Sequence, residues 1–218
     1  MISLQPPIEY LIFDLDGVLI DSSPCHRAAY QKLWDKLGIH GPKYSSIAGK
    51  RTADVVSAIT QSLAPTETEI NEWVIFKQKM ARQEMEHDLK VCSGAVEIIN
   101  RLHAEGWRMS VATGASRTSA LLALGSLGLT ACFDFIVTAD EVIQGKPDPL
   151  VFNEVLRGSR VPAEKALVLE DSQSGVDAAI AAGIRVCTVH TGVRSDADLF
   201  MGAYANLNEG LIELGVFQ

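Results

Sequence analysis

Several features that define other classes of protein are scarce or missing in this chain of 218 residues. Its four cysteines lie far apart and form no C-x-x-C pair, which excludes both a zinc-ribbon site and the dense disulfide framework of a small secreted domain. No apolar run approaches the ~20 residues that span a bilayer. The first residues have neither the basic nor the apolar segment of a signal peptide. We therefore expect a cytoplasmic protein with no membrane partner.

Positive charge is also in short supply. The chain has 19 Lys and Arg against 27 Asp and Glu, for a net charge of −8. Such a surface repels phosphate backbones, which argues against nucleic acid as a partner, and an anionic substrate must meet a local cluster of cations. Hydrophobic residues are 47% of the chain and charged residues 21%, as in soluble globular proteins, so disorder of the body is excluded.

Short β-branched runs alternate with helical patterns, which indicates an α/β fold with a doubly wound parallel sheet. The predicted strands are residues 10–13, 108–113, 135–138, 166–171 and 185–190. The helices predicted between the later strands are residues 94–105, 116–127, 149–156 and 174–182.

The interval between the first two strands is far longer than the roughly 30 residues of a strand–helix–strand unit. Its excess is helical in pattern, with an apolar stripe that includes Trp73, Phe76 and Met80 in the last helix. The expected helices are residues 24–37, capped by Ser22 or Ser23, residues 52–63, and a helix opened by a capping box at 66–69. We therefore expect an α-helical cap domain, residues 18–90, inserted into a core of residues 1–17 and 91–218.

Polar side chains follow four of the predicted strands, at the edge where open α/β sheets bind ligands. They are Asp14 and Asp16 after the first strand, Thr113 and Ser116 at the second, Lys146 after the third, and Glu170 and Asp171 at the fourth. Gly114, between Thr113 and Ser116, adds a backbone N–H group. Each has an ordinary structural explanation when taken alone, as a turn, a helix cap or a solvated lysine. Together they supply carboxylates suited to Mg²⁺, and a lysine, a hydroxyl and helix amides suited to phosphoryl oxygens.

This set of residues supports phosphoryl transfer through an aspartyl phosphate. One carboxylate can act as the nucleophile, because the metal and the lysine offset its repulsion from phosphate. A second carboxylate can protonate the leaving group and later take a proton from water. Receiver domains of signalling proteins carry a similar inventory, but they are much shorter and their acidic pair precedes the accepting aspartate. The order of the motifs and the inserted helices argue against that class.

In these motifs the chain resembles the haloacid dehalogenase-like superfamily, in the subgroup with a helical cap inserted after the first motif. The four motifs occur in order and, together with the cap, cover nearly the whole chain. The resemblance implies the following catalytic roles: nucleophile for Asp14, general acid and base for Asp16, phosphate ligand for Thr113, and bridge between nucleophile and phosphoryl group for Lys146. The metal set that it implies for Mg²⁺ is Asp14, the backbone carbonyl of Asp16, Asp171, and Glu170 directly or through water.

Within the superfamily, the chain resembles β-phosphoglucomutase, small sugar-phosphate phosphatases and, in outline, phosphoglycolate phosphatases. A carboxylate at Asp16 favours a phosphate substrate, since dehalogenases and phosphonoacetaldehyde hydrolases lack it. The mutase has a histidine that faces its acid/base aspartate, and His26 corresponds to it. The mutase also matches at Gly49, but Thr52 stands where its cap has an arginine. The adjacent Arg51 could substitute, although a shift of one residue on a helix turns a side chain by ~100°, and this departure argues against the mutase. The substrate-contacting residues predicted in this way are Gly114, Ser116, His26 and Arg51.

The function expected is Mg²⁺-dependent hydrolysis of a small phosphorylated metabolite, a sugar phosphate by resemblance. A β-phosphoglucomutase-like phosphomutase is the alternative enzyme. A non-catalytic binding or regulatory protein on the same scaffold is the alternative from another class, and the complete set of motif residues argues against it. We expect a monomer or a weak homodimer, with substrate discrimination near residues 49–51. Lys77 or Lys79 could add a cation from the cap, although lysines on amphipathic helices are usually solvated.

Overall fold

A six-stranded parallel sheet forms the centre of the fold in the computed structural model, which describes residues 6–48 and 50–217. The strands are β1 (Tyr10–Phe13), β2 (Ile20–Asp21), β3 (Lys90–Val91), β4 (Arg108–Ala112), β5 (Phe135–Val137), β6 (Ala166–Glu170), β7 (Arg185–Val189) and β8 (Phe200–Tyr204). The helices are α1 (Ser23–Leu37), α2 (Thr52–Thr60), α3 (Glu67–Asp88), α4 (Ala95–Ala104), α5 (Arg117–Ser126), α6 (Leu150–Ser159), α7 (Gln173–Ala181) and α8 (Leu207–Glu213).

The order of the sheet is β5-β4-β1-β6-β7-β8, so the first strand of the chain lies in the middle. Phe13 at the end of β1 is in register with Val111 of β4 and Leu169 of β6. The carboxyl ends of these three strands therefore meet at one edge, where the polar motifs follow them. The predicted doubly wound parallel sheet is confirmed.

β1 shows why the core has two layers. All four of its residues are fully buried, and successive side chains point to opposite faces of the sheet. Leu11 and Phe13 join the apolar cluster that includes side chains of α4, α5 and α8. Tyr10 and Ile12 join the cluster formed with α6 and α7. A strand covered on both faces reads as a continuous apolar run rather than an alternating one, which is what made it visible in the sequence.

The elements that the sequence analysis missed lie at the edges of the sheets. β8 is only half-buried and contains Gly202, so it lacks the apolar signal of the inner strands. α8 follows it, and β2 and β3 are two-residue strands too short for a pattern. The predicted helix 52–63 is α-helical only to Thr60, and a 3₁₀ turn at Gln61–Leu63 ends at Ala64 in the left-handed conformation.

The inserted helices α1, α2 and α3, here called the helical module, pack around an apolar cluster of their own. Tyr30 stacks on Trp34 with ring centroids 5.5 Å apart. The capping box at the start of α3 is confirmed, with Thr66 as N-cap and Glu69 as its reciprocal partner. β2 and β3 pair antiparallel where the chain enters and leaves the module. The division at residues 18 and 90 stays a prediction, which the position of this pair favours.

The structure also bears on the expectations about membrane helices, cysteines and residue 49. None of the helices in residues 6–48 and 50–217 has the length and apolarity needed to cross a membrane. All four cysteines are free thiols, as their wide spacing predicts. Gly49, one of the positions expected to discriminate substrates, lies outside the described residues.

Candidate active site

Asp14 and Lys146 form a buried ion pair at the carboxyl edge of the sheet. Asp14 follows β1 directly, and its amide donates a hydrogen bond of 2.9 Å to the carbonyl of Leu169 in β6. The ammonium of Lys146 lies 2.5 Å from Asp14 Oδ1 and 2.6 Å from Glu170 Oε1. Lys146 is 5% exposed and Asp14 is 6% exposed. Charges buried this deeply are stable only when they are paired, so Lys146 is not a solvated surface lysine.

Both carboxylate oxygens of Glu170 accept hydrogen bonds from other groups of the protein. Oε1 accepts from Lys146, whereas Oε2 accepts from the backbone amides of Asp171 and Ser172 at 2.8 and 2.9 Å. A Cβ at Gly175 would overlap the Glu170 carboxylate, so the glycine at the start of α7 makes room for it. Glu170 therefore fixes the position of Lys146, and its place among the metal ligands stays a prediction.

Asp171 lies against the turn that follows β1. Gly17 in that turn has φ +87°, and a Cβ there would overlap the Asp171 carboxylate. Both the backbone conformation and the close approach therefore require glycine. Burial and the negative charge of Glu170 raise the pKa of Asp171 to about 8. Burial likewise raises the pKa of Asp14, against the lowering effect of Lys146.

The ammonium of Lys146 contacts the carboxylates of Asp14 and Glu170, and the adjacent Asp171 adds a third acid to this edge of the sheet. The unbalanced charge matches a divalent cation. No group of three or more His, Cys, Asp or Glu side chains in the described part of the chain is arranged as a complete metal cage. Mg²⁺ does not need one, because it is usually held by one or two carboxylates and keeps several waters. Asp14, Asp171 and the backbone carbonyl of Asp16 would hold it here.

Asp16 is held by side chains from both the core and the helical module. Its Oδ1 accepts a hydrogen bond from Ser22, and its Oδ2 lies 3.5 Å from Thr113 Oγ1. Ser22, one of the two serines predicted to cap α1, does occupy its N-cap position, but its hydroxyl bonds Asp16 and makes no side-chain cap hydrogen bond to the helix. Burial by itself would raise the pKa of Asp16. The hydrogen bonds from His26 and Ser22 lower it by more, so the net shift of the pKa is downward.

His26 and Lys77 continue this network into the module. His26 Nε2 lies 3.4 Å from Asp16 Oδ1, and His26 Nδ1 lies 2.7 Å from the ammonium of Lys77. When Lys77 is an ammonium it can only donate, so in that form Nδ1 accepts and the ring proton is on Nε2, facing Asp16. Lys77 also lies 3.5 Å from Thr52 Oγ1 and 4.4 Å from the ring centre of Tyr30. The prediction that His26 faces the acid/base aspartate agrees with this geometry.

Lys77 is the site residue that the sequence analysis misjudged. It is 3% exposed, and burial lowers its pKa from 10.5 to about 7. The expectation of a solvated lysine is wrong because the fully buried residues of α3 are Lys77, Ala81 and Met85. The predicted stripe residues Trp73 and Phe76 are only partly buried, although they do pack against the apolar cluster of the module. A signal was available: Lys77 is four residues after Trp73, on the same face of the helix.

A cavity between the core and the module unites most of these residues. Its lining includes Asp14, Asp16, Gly114, Ser116 and Glu170 from the core, and His26, Tyr30, Tyr44, Thr52, Lys77 and Gln78 from the module. Sequence reasoning did not anticipate Tyr44, Thr52 or Gln78, since nothing in their local pattern sets them apart from ordinary helix and loop residues.

Thr113, Lys146 and Asp171 are not part of the lining but contact the lining residues Asp16, Asp14 and Glu170, respectively. Arg51 is not among the residues that line the cavity, and its role as a substrate contact stays a prediction. Its guanidinium Nη1 donates a hydrogen bond of 2.7 Å to the backbone carbonyl of Ile143, so it is directed to a loop of the core.

The site is thus built on an α/β core with paired acids and a buried lysine at the carboxyl edge of its sheet, where such folds bind ligands, and a helical module faces it. Comparison with known proteins identifies the family. Haloacid dehalogenase-like hydrolases match residues 11–189, and the chain belongs to that family. The predicted family, fold class and enzyme class are therefore confirmed.

Relatives and solved structures cover most of the chain. A "phosphorylated carbohydrates phosphatase" of Thermotoga maritima is 32% identical over 81% of this chain and 82% of its own. The fructose-1-phosphate phosphatase YqaB of Escherichia coli is 30% identical over 80% of this chain and 92% of its own. The structure of CbbY from Rhodobacter sphaeroides in complex with phosphate aligns with a TM-score of 0.80 at 25% identity, covering 93% of this chain and 94% of that one.

A β-phosphoglucomutase from Clostridium difficile is also similar in structure. It aligns with a TM-score of 0.76 at 25% identity, over 84% of each chain. Both kinds of enzyme that the sequence analysis considered, a phosphatase and a phosphomutase, are thus represented among the similar proteins.

Proposed function

We propose that this protein is a Mg²⁺-dependent phosphatase that hydrolyses a small phosphorylated metabolite of the sugar-phosphate class through an aspartyl phosphate on Asp14. The observation that carries the proposal is the buried contact of 2.5 Å between Lys146 and Asp14, beside a cavity that Asp16 also lines. The relatives named for phosphorylated carbohydrates and fructose 1-phosphate support the substrate class.

In the first step, an Asp14 carboxylate oxygen attacks phosphorus. A phosphorus–oxygen bond to Asp14 forms, and the ester bond to the leaving group breaks. Asp16 gives its proton to the departing oxygen, so the metabolite leaves as a neutral hydroxyl. The negative charge of a bound phosphoryl group raises the pKa of a neighbouring carboxyl, which supplies the protonated form of Asp16 that this step needs.

In the second step, Asp16 takes a proton from water, whose oxygen attacks phosphorus and releases Asp14 and inorganic phosphate. The contacts with Ser22 and His26 lower the pKa of Asp16 and so favour the carboxylate form that this step requires. Lys146 holds Asp14 in place throughout, and Glu170 holds Lys146. Bound Mg²⁺ would supply positive charge that offsets the repulsion between the phosphoryl group and the carboxylates.

A phosphomutase is the second candidate, and the contact of 3.4 Å between His26 and Asp16 favours it, since the resemblance to β-phosphoglucomutase includes this histidine. The two activities differ in whether water or a sugar hydroxyl attacks the aspartyl phosphate. Closure of the helical module over the site determines how much water reaches it.

The proposal is tested by measuring phosphate release from sugar phosphates, phosphoglycolate and nucleoside monophosphates, with Mg²⁺ and then with EDTA. We expect metal-dependent release that is greatest for sugar phosphates. Asp14→Asn should abolish it with an unchanged circular dichroism spectrum, whereas Asp177→Asn, at an exposed position on α7, should not. Appreciable turnover by Asp14→Asn would remove Asp14 from the nucleophile role. Conversion of β-glucose 1-phosphate with a transient bisphosphate and no phosphate release would establish the mutase instead.

A further inference from the structure

Arg51 joins the helical module to the loop that carries Lys146. It is the residue immediately before α2, and its Nη1 donates a hydrogen bond of 2.7 Å to the carbonyl of Ile143, 92 positions along the chain. The aliphatic part of the side chain meets the same loop two residues later. A Cβ placed on Gly145 would lie 2.8 Å from Arg51 Cβ and 3.5 Å from its Cδ.

The contact with Arg51 leaves no room for a side chain at Gly145. Its φ angle lies outside the left-handed region that favours glycine, so the backbone conformation does not require it. What requires it is the close approach of Arg51, since any side chain would be pressed against the Arg51 stem. The loop and the arginine are therefore fitted to each other.

Lys146 follows Gly145 directly, and its ammonium holds Asp14 at 2.5 Å and Glu170 at 2.6 Å. A single peptide bond thus separates the Arg51 contact from the lysine. We propose that Arg51 is a positioning residue, a latch that ties the helical module to this loop in the closed site and so holds Lys146 against Asp14. The assignment rests on the proposed function only in giving Lys146 a catalytic role.

A latch requires the shape and the hydrogen-bonding geometry of the Arg51 guanidinium, and not only its positive charge. The guanidinium is planar and presents donors at fixed angles at the end of a long stem, whereas a lysine ammonium is shorter and strongly hydrated. Arg51→Lys should therefore behave like Arg51→Ala if the contact with Ile143 matters. It should behave like the wild type if Arg51 contributes only charge towards an anionic substrate.

Hydrogen–deuterium exchange tests the latch without any turnover. The amide of Asp148 donates to the carbonyl of Gly145 at 3.0 Å, so its exchange reports how firmly the loop is held. We expect Arg51→Ala and Arg51→Lys to speed this exchange roughly threefold to tenfold, the scale of one lost hydrogen bond. Lys79→Ala removes a charge from an exposed position of α3 and should leave it unchanged. Unchanged exchange in both Arg51 variants would overturn the proposal, whatever reaction the protein catalyses.

Steady-state kinetics supply the second readout. A latch acts through Lys146, so Arg51→Ala should lower kcat roughly threefold to tenfold, as in the exchange experiment, with little change in KM. Loss of a substrate contact would instead raise KM and leave kcat unchanged. Gly145→Ala should lower kcat on its own. Combined with Arg51→Gly, which removes the opposing Cβ, it should add no further loss. Additive losses, or rescue of KM by Arg51→Lys, would show that Arg51 contacts substrate and is no latch.

Discussion

Replacement of Lys77 by methionine is expected to stabilise the protein while impairing its site. Lys77 is 3% exposed, and burial lowers its pKa from 10.5 to about 7. The unfolded chain therefore binds a proton on this lysine, between about pH 7 and 10.5, that the folded chain does not. Stability of the wild type must rise with pH through that window. Methionine has a similar shape and no charge, so the variant lacks this dependence.

The free energies follow from the same values. At pH 7 the unfavourable burial of the lysine costs the folded state about 4 kcal/mol. Removal of the ammonium also leaves His26 Nδ1 without the partner that lies 2.7 Å away, at a cost of about 1–3 kcal/mol. We expect Lys77→Met to be more stable than the wild type by about 1–3 kcal/mol at pH 7, and the gain to vanish or reverse by about pH 10.

Urea unfolding of the wild type and Lys77→Met at several pH values between 7 and 10 measures this difference. Lys79→Met, on the exposed face of the same helix, is the matched control; it retains Lys77, so its stability should rise with pH in parallel with that of the wild type. Turnover of Lys77→Met should fall at the same time, because His26 is no longer held. Parallel stability curves for the wild type and Lys77→Met would refute the assignment of a buried lysine with a lowered pKa.

Three further predictions concern the site and the helix that carries Lys77. Asp16→Ala should still allow phosphorylation of Asp14 but stall hydrolysis, so labelled phosphoenzyme should accumulate; rapid turnover without labelling would contradict the acid/base role. Glu170→Gln replaces one oxygen with an NH₂ group that cannot accept from Lys146 or the backbone, and kcat should fall at least tenfold; an unchanged kcat would dismiss the positioning role of Glu170. Thr66→Ala removes the capping box of α3 and should lower the free energy of unfolding by about 1 kcal/mol, measured in urea with activity retained.

Much of the fold and the core of the site could be predicted from local sequence. A buried parallel strand such as β1 reads as an apolar run, and the carboxyl ends of such strands must share one edge. That rule predicts that Asp14, Lys146 and Asp171 lie together at this edge. The capping box at Thr66 was equally visible, because its two hydrogen bonds join residues only three positions apart.

The tertiary structure alone decided what the helical module contributes. Lys77 meets His26 across 51 positions and Arg51 meets Ile143 across 92, and no local period or cap encodes such distances. Whether a polar side chain on an amphipathic helix is solvated or buried depends on what the helix packs against. The sequence by itself determined which residues stand at the edge of the sheet. Packing of the module onto that edge determined that Lys77 is buried and that Arg51 is directed to the loop before Lys146, because both outcomes depend on contacts between segments far apart in the chain.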